Sequence, residues 1–274
     1  MRLFTGLFIV FTFSSKIIMA QFNYDTSWKK ITALEDKGLP KSALELVNEV
    51  YAHAEKDKAT VQQVKALIFR MKYNAQVSDS SSLQNLQEIE LRAAGATGVQ
   101  KAILQSLKAE MLYRYYQQYR YKFYSRTAVV NDESTDITAW GAERLHREIT
   151  AAYEASLSQK TLLEKTGLDE FDPVIVKGNV RALRSTLYDL LAHRALEYFK
   201  SGDAALTNPT NQFELTNPAA FAPAAAFAAH RFAAADTASL QYHALLVLQE
   251  LLRLHKNNKA ALLDADLERI TYMR

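Results

Sequence analysis

The run Tyr113-Arg114-Tyr115-Tyr116-Gln117-Gln118-Tyr119-Arg120-Tyr121-Lys122-Phe123-Tyr124 sets aromatic rings and cations at close intervals. That composition can stack single-stranded nucleic acid or carbohydrate. Wound as a helix, Tyr113, Tyr116, Arg120 and Phe123 share one side, and Tyr115, Tyr119 and Lys122 share another. Tyr113, Tyr116 and Arg120 are therefore the candidate binding surface. The same distribution suits a thick helix packed on two neighbours, with tyrosine hydroxyls at the water line.

The other reactive side chains do not assemble into a site. The six histidines, His53, His146, His193, His230, His243 and His255, never reach metal-ligand spacing. His243 and His255 are the nearest pair, too far apart for one metal without a fold-back, and His193 reads as a partner in helix packing. The acidic loop Asp132, Glu133, Asp136 lacks the alternating carboxylates and central glycine of a calcium loop. Asp169, Glu170 and Asp172 beside Pro173 have nothing in sequence to hold two carboxylates at a hydrolytic separation. No phosphate-binding glycine loop and no nucleophile elbow is present. The sequence supports neither catalysis nor a cofactor.

The surrounding elements read as helices. Trp28, Ile31 and Leu34 line one face of a short helix, which Gly38 can close in the positive-φ region. Pro40 fits the first turn of a second helix, carrying Ala43, Leu44, Val47, Val50, Tyr51 and Ala54 at amphipathic spacing. A third stripe runs Val61, Val64, Leu67, Ile68, Met71. After a Ser-rich break, Leu83, Leu86 and Ile89 form a fourth, ended by Gly95 and Gly98. A long helix from Val99 leads into the aromatic run. Asp136 or Thr138 then caps a helix with Leu145, Ile149, Tyr153 and Leu157. The β-branched patch Phe171 to Gly178 is an extended connector, because a lone strand has no partner. Leu183, Leu187, Leu191, Ala195 and Tyr198 form another helix. Between Thr207 and Asp236 two Asn-Pro turns and an Ala/Phe-rich stretch indicate a connector with Phe213, Phe221, Phe227 and Phe232 turned inward. Helices resume at Leu240–Leu254 and Ala261–Ile270. The expected fold is all-α: an irregular, tetratricopeptide-like helical-repeat array of antiparallel helix pairs with long connectors. Its expected divisions are a helical-repeat domain over 21–206, the connector over 207–238 and further helices over 239–274.

Residues 1–20 read as an export signal, with Arg2, an apolar core from Leu3 to Phe13, and Met19-Ala20 before the cut. That core is shorter than the roughly 20 residues that span a bilayer, so the mature chain is expected to have no membrane span. The expected location is the periplasm, the cell surface or the extracellular space. Of 33 Lys and Arg, Arg2 and Lys16 belong to the leader, leaving 31 against 30 acidic residues. No basic surplus remains for a nucleic-acid partner. With no cysteine, disulfides and thiolate sites are excluded.

Several strings resemble, in order, the N-terminal region of large bacterial alpha-2-macroglobulin-like proteins. They are Trp28-Lys29-Lys30 with Gly38-Leu39-Pro40-Lys41-Ser42-Ala43-Leu44, Lys65 to Arg70, and Tyr116-Gln117-Gln118 with Lys122 to Thr127. Arg184 to Leu196 and Asn217 to Phe221 complete the set. The resemblance implies an exported protein that traps or inhibits proteases, with this non-catalytic helical region preceding β-sandwich macroglobulin domains. Those downstream domains would be its partners, with proteases or envelope proteins beyond them. The family's Cys–Gln thioester has no counterpart in a chain without cysteine, so no functional residue carries over. The resemblance also implies a truncated piece of a longer protein. The other expectation is a free-standing helical-repeat protein of the envelope that binds peptides or glycans.

Overall fold

The computed structural model describes residues 22–78, 81–124, 134, 136–203, 217–233 and 238–273. The expected export signal over 1–20, Asp132, Glu133 and Phe213 lie outside them. Eleven α-helices are present among these residues, and the β-structure there is one isolated antiparallel bridge, Gly167 to Thr186. The fold is an all-α helical array. No described helix is long and apolar enough to cross a membrane.

The first three helices, α1 (Tyr24–Asp36), α2 (Pro40–Lys56) and α3 (Thr60–Val77), are joined by two copies of one corner. After α1, Gly38 adopts φ +67°. Its N–H then donates to Glu35 O at 2.8 Å, and Leu39 N–H donates to Leu34 O at 3.0 Å. This pairing satisfies the last carbonyls of a helix that ends in a left-handed residue. After α2 the same bonds recur, Lys58 N–H to Glu55 O and Ala59 N–H to Ala54 O. Here a lysine holds φ +53°, where its Cβ crowds the backbone. The repeat is thus in the corner geometry and not in the residue that makes it.

Beyond α3 come α4 (Ser81–Gly95) and the 27-residue α5 (Gly98–Tyr124). α5 departs from helical geometry at Tyr119, where φ is −110° and ψ 20°. Two cores flank this helix. One, around Trp28, Ile31, Val47, Val50, Tyr73 and Ile89, joins α1–α4 and reaches Leu104. The larger one holds Leu112, Tyr116, Leu145, Tyr198, Phe227 and Leu248. It is built by α5, α6 (Ala142–Leu157), α7 (Lys160–Lys165), α8 (Leu187–Phe199), α9 (Ala224–Ala229), α10 (Leu240–Leu254) and α11 (Lys259–Tyr272). Leu107 and Met111 of α5 pack against both cores.

Some boundaries differ from those the spacing predicts. Asp136 caps a 3-10 turn, Ile137–Ala139, and α6 starts later behind Gly141. Leu183 lies in its own 3-10 turn, because Thr186 and Asp189 form a capping box that starts α8 at Leu187. The inward connector is half right. Phe227 and Phe232 are buried, but Phe221 is 60% exposed, and Ala224–Ala229 is helical.

That connector is held through its carbonyls. Gln249 Nε2 donates to Phe227 O at 2.6 Å and to His230 O at 2.7 Å. The buried Arg269 guanidinium donates to Ala220 O at 2.6 Å, bonds Asp266, and lies 4.7 Å from the Phe227 ring centre. The connector therefore shares a core with α10 and α11 instead of separating them from the array.

Asp189 completes the frame. Its carboxylate is wholly buried, yet Oδ2 accepts from Thr186 N–H at 3.0 Å and Thr186 Oγ1 at 2.9 Å, and Oδ1 lies 2.7 Å from His255 Nε2. Removing one member of such a pair strands the other in low dielectric. Asp189→Ala should cost about 3 kcal/mol in urea unfolding, with the α8 and α10 amides losing hydrogen-exchange protection first. Lys58→Gly should instead stabilise by about 0.5–1 kcal/mol, since glycine takes positive φ without the Cβ clash. A thermal melt reads the sign.

Candidate functional site

The three residues chosen from spacing do converge, but on the chain itself. Tyr113 Oη donates to Asp203 Oδ2 at 2.6 Å, and the Arg120 guanidinium pairs with Asp203 Oδ1 at 2.9 Å. Tyr116 Oη reaches Asp203 O at 3.4 Å. The ring of Tyr116 is fully buried and meets His146 edge-on with centroids 4.5 Å apart. Burial, then the bond to Asp203, pushes the Tyr113 phenol above its ordinary pKa. These contacts tie α5 to the turn after α8, where Asp203 accepts what a ligand would otherwise accept. Tyr116 is closed to any ligand. Tyr113 borders a recess of about 250 Å³, shared with Arg114, Gln117 and Glu197.

The opposite face of α5 is open. A groove of about 460 Å³ runs between α3, α4 and α5, floored by Ile68, Met71, Leu83, Leu86, Met111 and Tyr115. Lys72, Glu110, Arg114 and Arg194 stand around it. Arg194 Nε donates to Ser106 Oγ at 2.9 Å, and its terminal nitrogen pairs with Glu110, which Arg114 also pairs. Burial alone would raise the Glu110 carboxyl. Arg194 and Arg114 outweigh it and hold the group below the usual glutamate range. The groove thus has an apolar floor beside a fixed charged end. Met71 belongs to a predicted stripe, and Tyr115 to the second face of the aromatic run. Spacing shows an apolar face in each and cannot show that α3, α4 and α5 leave a gap there.

His193, His243 and His255 act as clasps between helices. His193 places Nδ1 2.7 Å from Asp189 O and Nε2 3.1 Å from Glu268. His243 Nδ1 lies 3.1 Å from Glu154. Among the described residues no group of three His, Asp or Glu side chains is placed to hold a metal. Asp172 is paired with Lys177 and Arg181, so the acidic turn near Pro173 is held by cations. His146 bonds a tyrosine and not a carboxylate. Its Nδ1 lies 2.8 Å from Tyr198 Oη, its Nε2 has no partner, and it lines a second pocket between α6 and α10. Burial pulls its pKa down to about 4, and the charge of Asp203 opposes this only in part.

No protein-family model, curated protein or solved structure matches this chain.

His146 and Glu268 both contribute to the acid limb of stability, with the same sign as the depressed carboxyls of Glu110 and Asp189. His146 is depressed when folded, so the unfolded chain binds its proton first, and stability falls as pH drops from 6.5 toward 4. Burial would raise Glu268, but His193 and Lys200 hold it at about 2. Its contribution is therefore present above pH 4.5 and lost between there and about 2. Urea titrations across pH 2–8 should show both declines, and His146→Phe should flatten only the upper one.

Proposed function

We propose that this chain is a non-catalytic recognition module that docks an extended protein segment in the groove between α3, α4 and α5. The observation that carries the reading is the groove's composition. An apolar floor containing two methionines adapts to varied side chains, and the Glu110–Arg114–Arg194 cluster at its border can fix a peptide's polar groups and direction. Helical arrays present such surfaces because stacked helix pairs leave a continuous face between them. The ordered strings that resemble macroglobulin-like N-terminal regions support placing the module in an exported protease-trapping protein, as a docking surface for the rest of that protein or for an envelope partner.

Two measurements test the proposal. Peptides selected from a random library on the whole chain should share an apolar anchor. Met111→Glu or Met71→Glu should weaken them at least about tenfold, ~1.4 kcal/mol, while the helical circular-dichroism signal is retained. Undiminished binding by both folded variants would sink the groove. Antibodies raised against the chain should detect, in envelope fractions, a polypeptide far larger than 30.9 kDa. A band at or below that mass would remove the macroglobulin-like setting and favour the free-standing binding protein.

A further inference from the structure

α11, the last helix among the described residues, is apolar on both of its faces. Ala261, Ala265 and Met273 are buried on the inner one. On the opposite face Leu263, Leu267 and Ile270 are 60%, 55% and 41% exposed. Their spacing of four and then three residues sets them in one line along the helix. A helix that is apolar all round is ordinarily buried on every side, and the last helices of an array ordinarily turn a polar face outward. α11 does neither. Its neighbours extend the apolar area. Phe221 follows Ala220, whose carbonyl accepts from Arg269, and Val180 leads into the 3-10 turn Arg181–Leu183, which packs on α11. Five of the ten exposed large apolar side chains among the described residues thus lie on α11 or beside these contacts, a concentration that marks an interface and not scattered exposure.

The three ridge residues carry no charge, and the ionic groups beside them are matched within the chain. Arg184 pairs with Asp264 and Glu268, Lys200 with Glu268, and Arg269 with Asp266. A strongly charged partner would find little there to select it, whereas two copies of this face meet without like-charge repulsion. Shape also suits a copy. Beside Leu267 a shallow recess of about 510 Å³ opens toward Arg184 and Lys200, so one face carries both a ridge and a hollow. A two-fold contact needs that combination, because the same patch must give and receive. With two α11 helices antiparallel across an axis at Leu267, Leu263 of each lies opposite Ile270 of the other, and the two Leu267 side chains meet. α11 has 14 residues, about 21 Å of helix, and with its flanking segments offers roughly 600 Å² per copy, the lower end of specific interfaces. We propose that the outer face of α11 is a self-association surface, joining two copies of this chain antiparallel in two-fold symmetry about Leu267. No residue lining the peptide groove lies on α11, so the contact takes up neither groove and is independent of the function proposed for them.

Sedimentation equilibrium of the whole chain at about 1–100 µM, where an interface of this size should be partly formed, tests the proposal. The mean mass should rise with concentration from 30.9 kDa toward twice that value. Leu267→Glu sets two like charges at the axis and should weaken association at least about tenfold. The side chain it replaces is exposed, so the helical circular-dichroism signal should be retained. Leu263→Lys and Ile270→Glu should each weaken self-association, and their equimolar mixture should restore it, because position 263 of one copy faces position 270 of the other. A monomer at every concentration overturns the proposal and leaves the stripe to a helix of another protein. Undiminished dimers in folded Leu267→Glu overturn this face, and a mixture no better associated than its two components overturns the antiparallel pairing.

Discussion

A carboxylate sealed inside a helical protein must be matched on every side, and in this chain Asp189 is that carboxylate. Its first partners are local, the backbone N–H and hydroxyl of Thr186 that start α8. Its last is His255, 66 residues away at the end of α10. The capping box is available to an isolated helix, whereas the histidine arrives only when α10 packs. Burial would raise Asp189, yet His255 and Thr186 hold it below the ordinary aspartate range. The charged form is thus kept in the interior, and the register of α8 against α10 follows from it.

Around that point the C-terminal half is joined by polar reaches of the same design. His193 and Lys200 of α8 and its flank meet Glu268 of α11, His243 of α10 meets Glu154 of α6, and Arg269 of α11 meets the carbonyl of Ala220. Each spans elements far apart in sequence. The N-terminal half is built otherwise, from neighbouring helices closed by one repeated corner. α5 belongs to both halves, so its two faces have different fates. The face carrying Tyr113 and Tyr116 is taken up by α6, α8 and Asp203. The face carrying Met111 and Tyr115 is only partly covered by α3 and α4, and the groove is what remains.

The two openings differ in character. The groove has an apolar floor and a charged end, suited to a peptide. The α6–α10 pocket sets Glu143, Arg147 and Glu154 beside Ala151, Leu246 and the His146 side chain.

Local sequence was enough to place the helices and most of their ends. Apolar spacing marks α2, α6 and α10 because a helix with one dry face must repeat near 3.6 residues, and Gly38 and Pro40 place a corner that obeys backbone sterics alone. It was less informative where a boundary depended on side-chain capture. Leu183 has the spacing of α8, yet Thr186 and Asp189 start the helix after it. Lys58 carries no mark of the left-handed conformation it adopts, since tertiary packing imposes the corner there. At α5, spacing shows two faces and not which of them the rest of the chain covers. Tyr113, Tyr116 and Arg120 look like a binding surface until Asp203, 83 residues beyond Arg120, folds over them. Which face stays open, which histidine lacks a partner and which carboxylate is buried all depend on which helices meet. Contacts between distant segments decide that, and no local pattern encodes them.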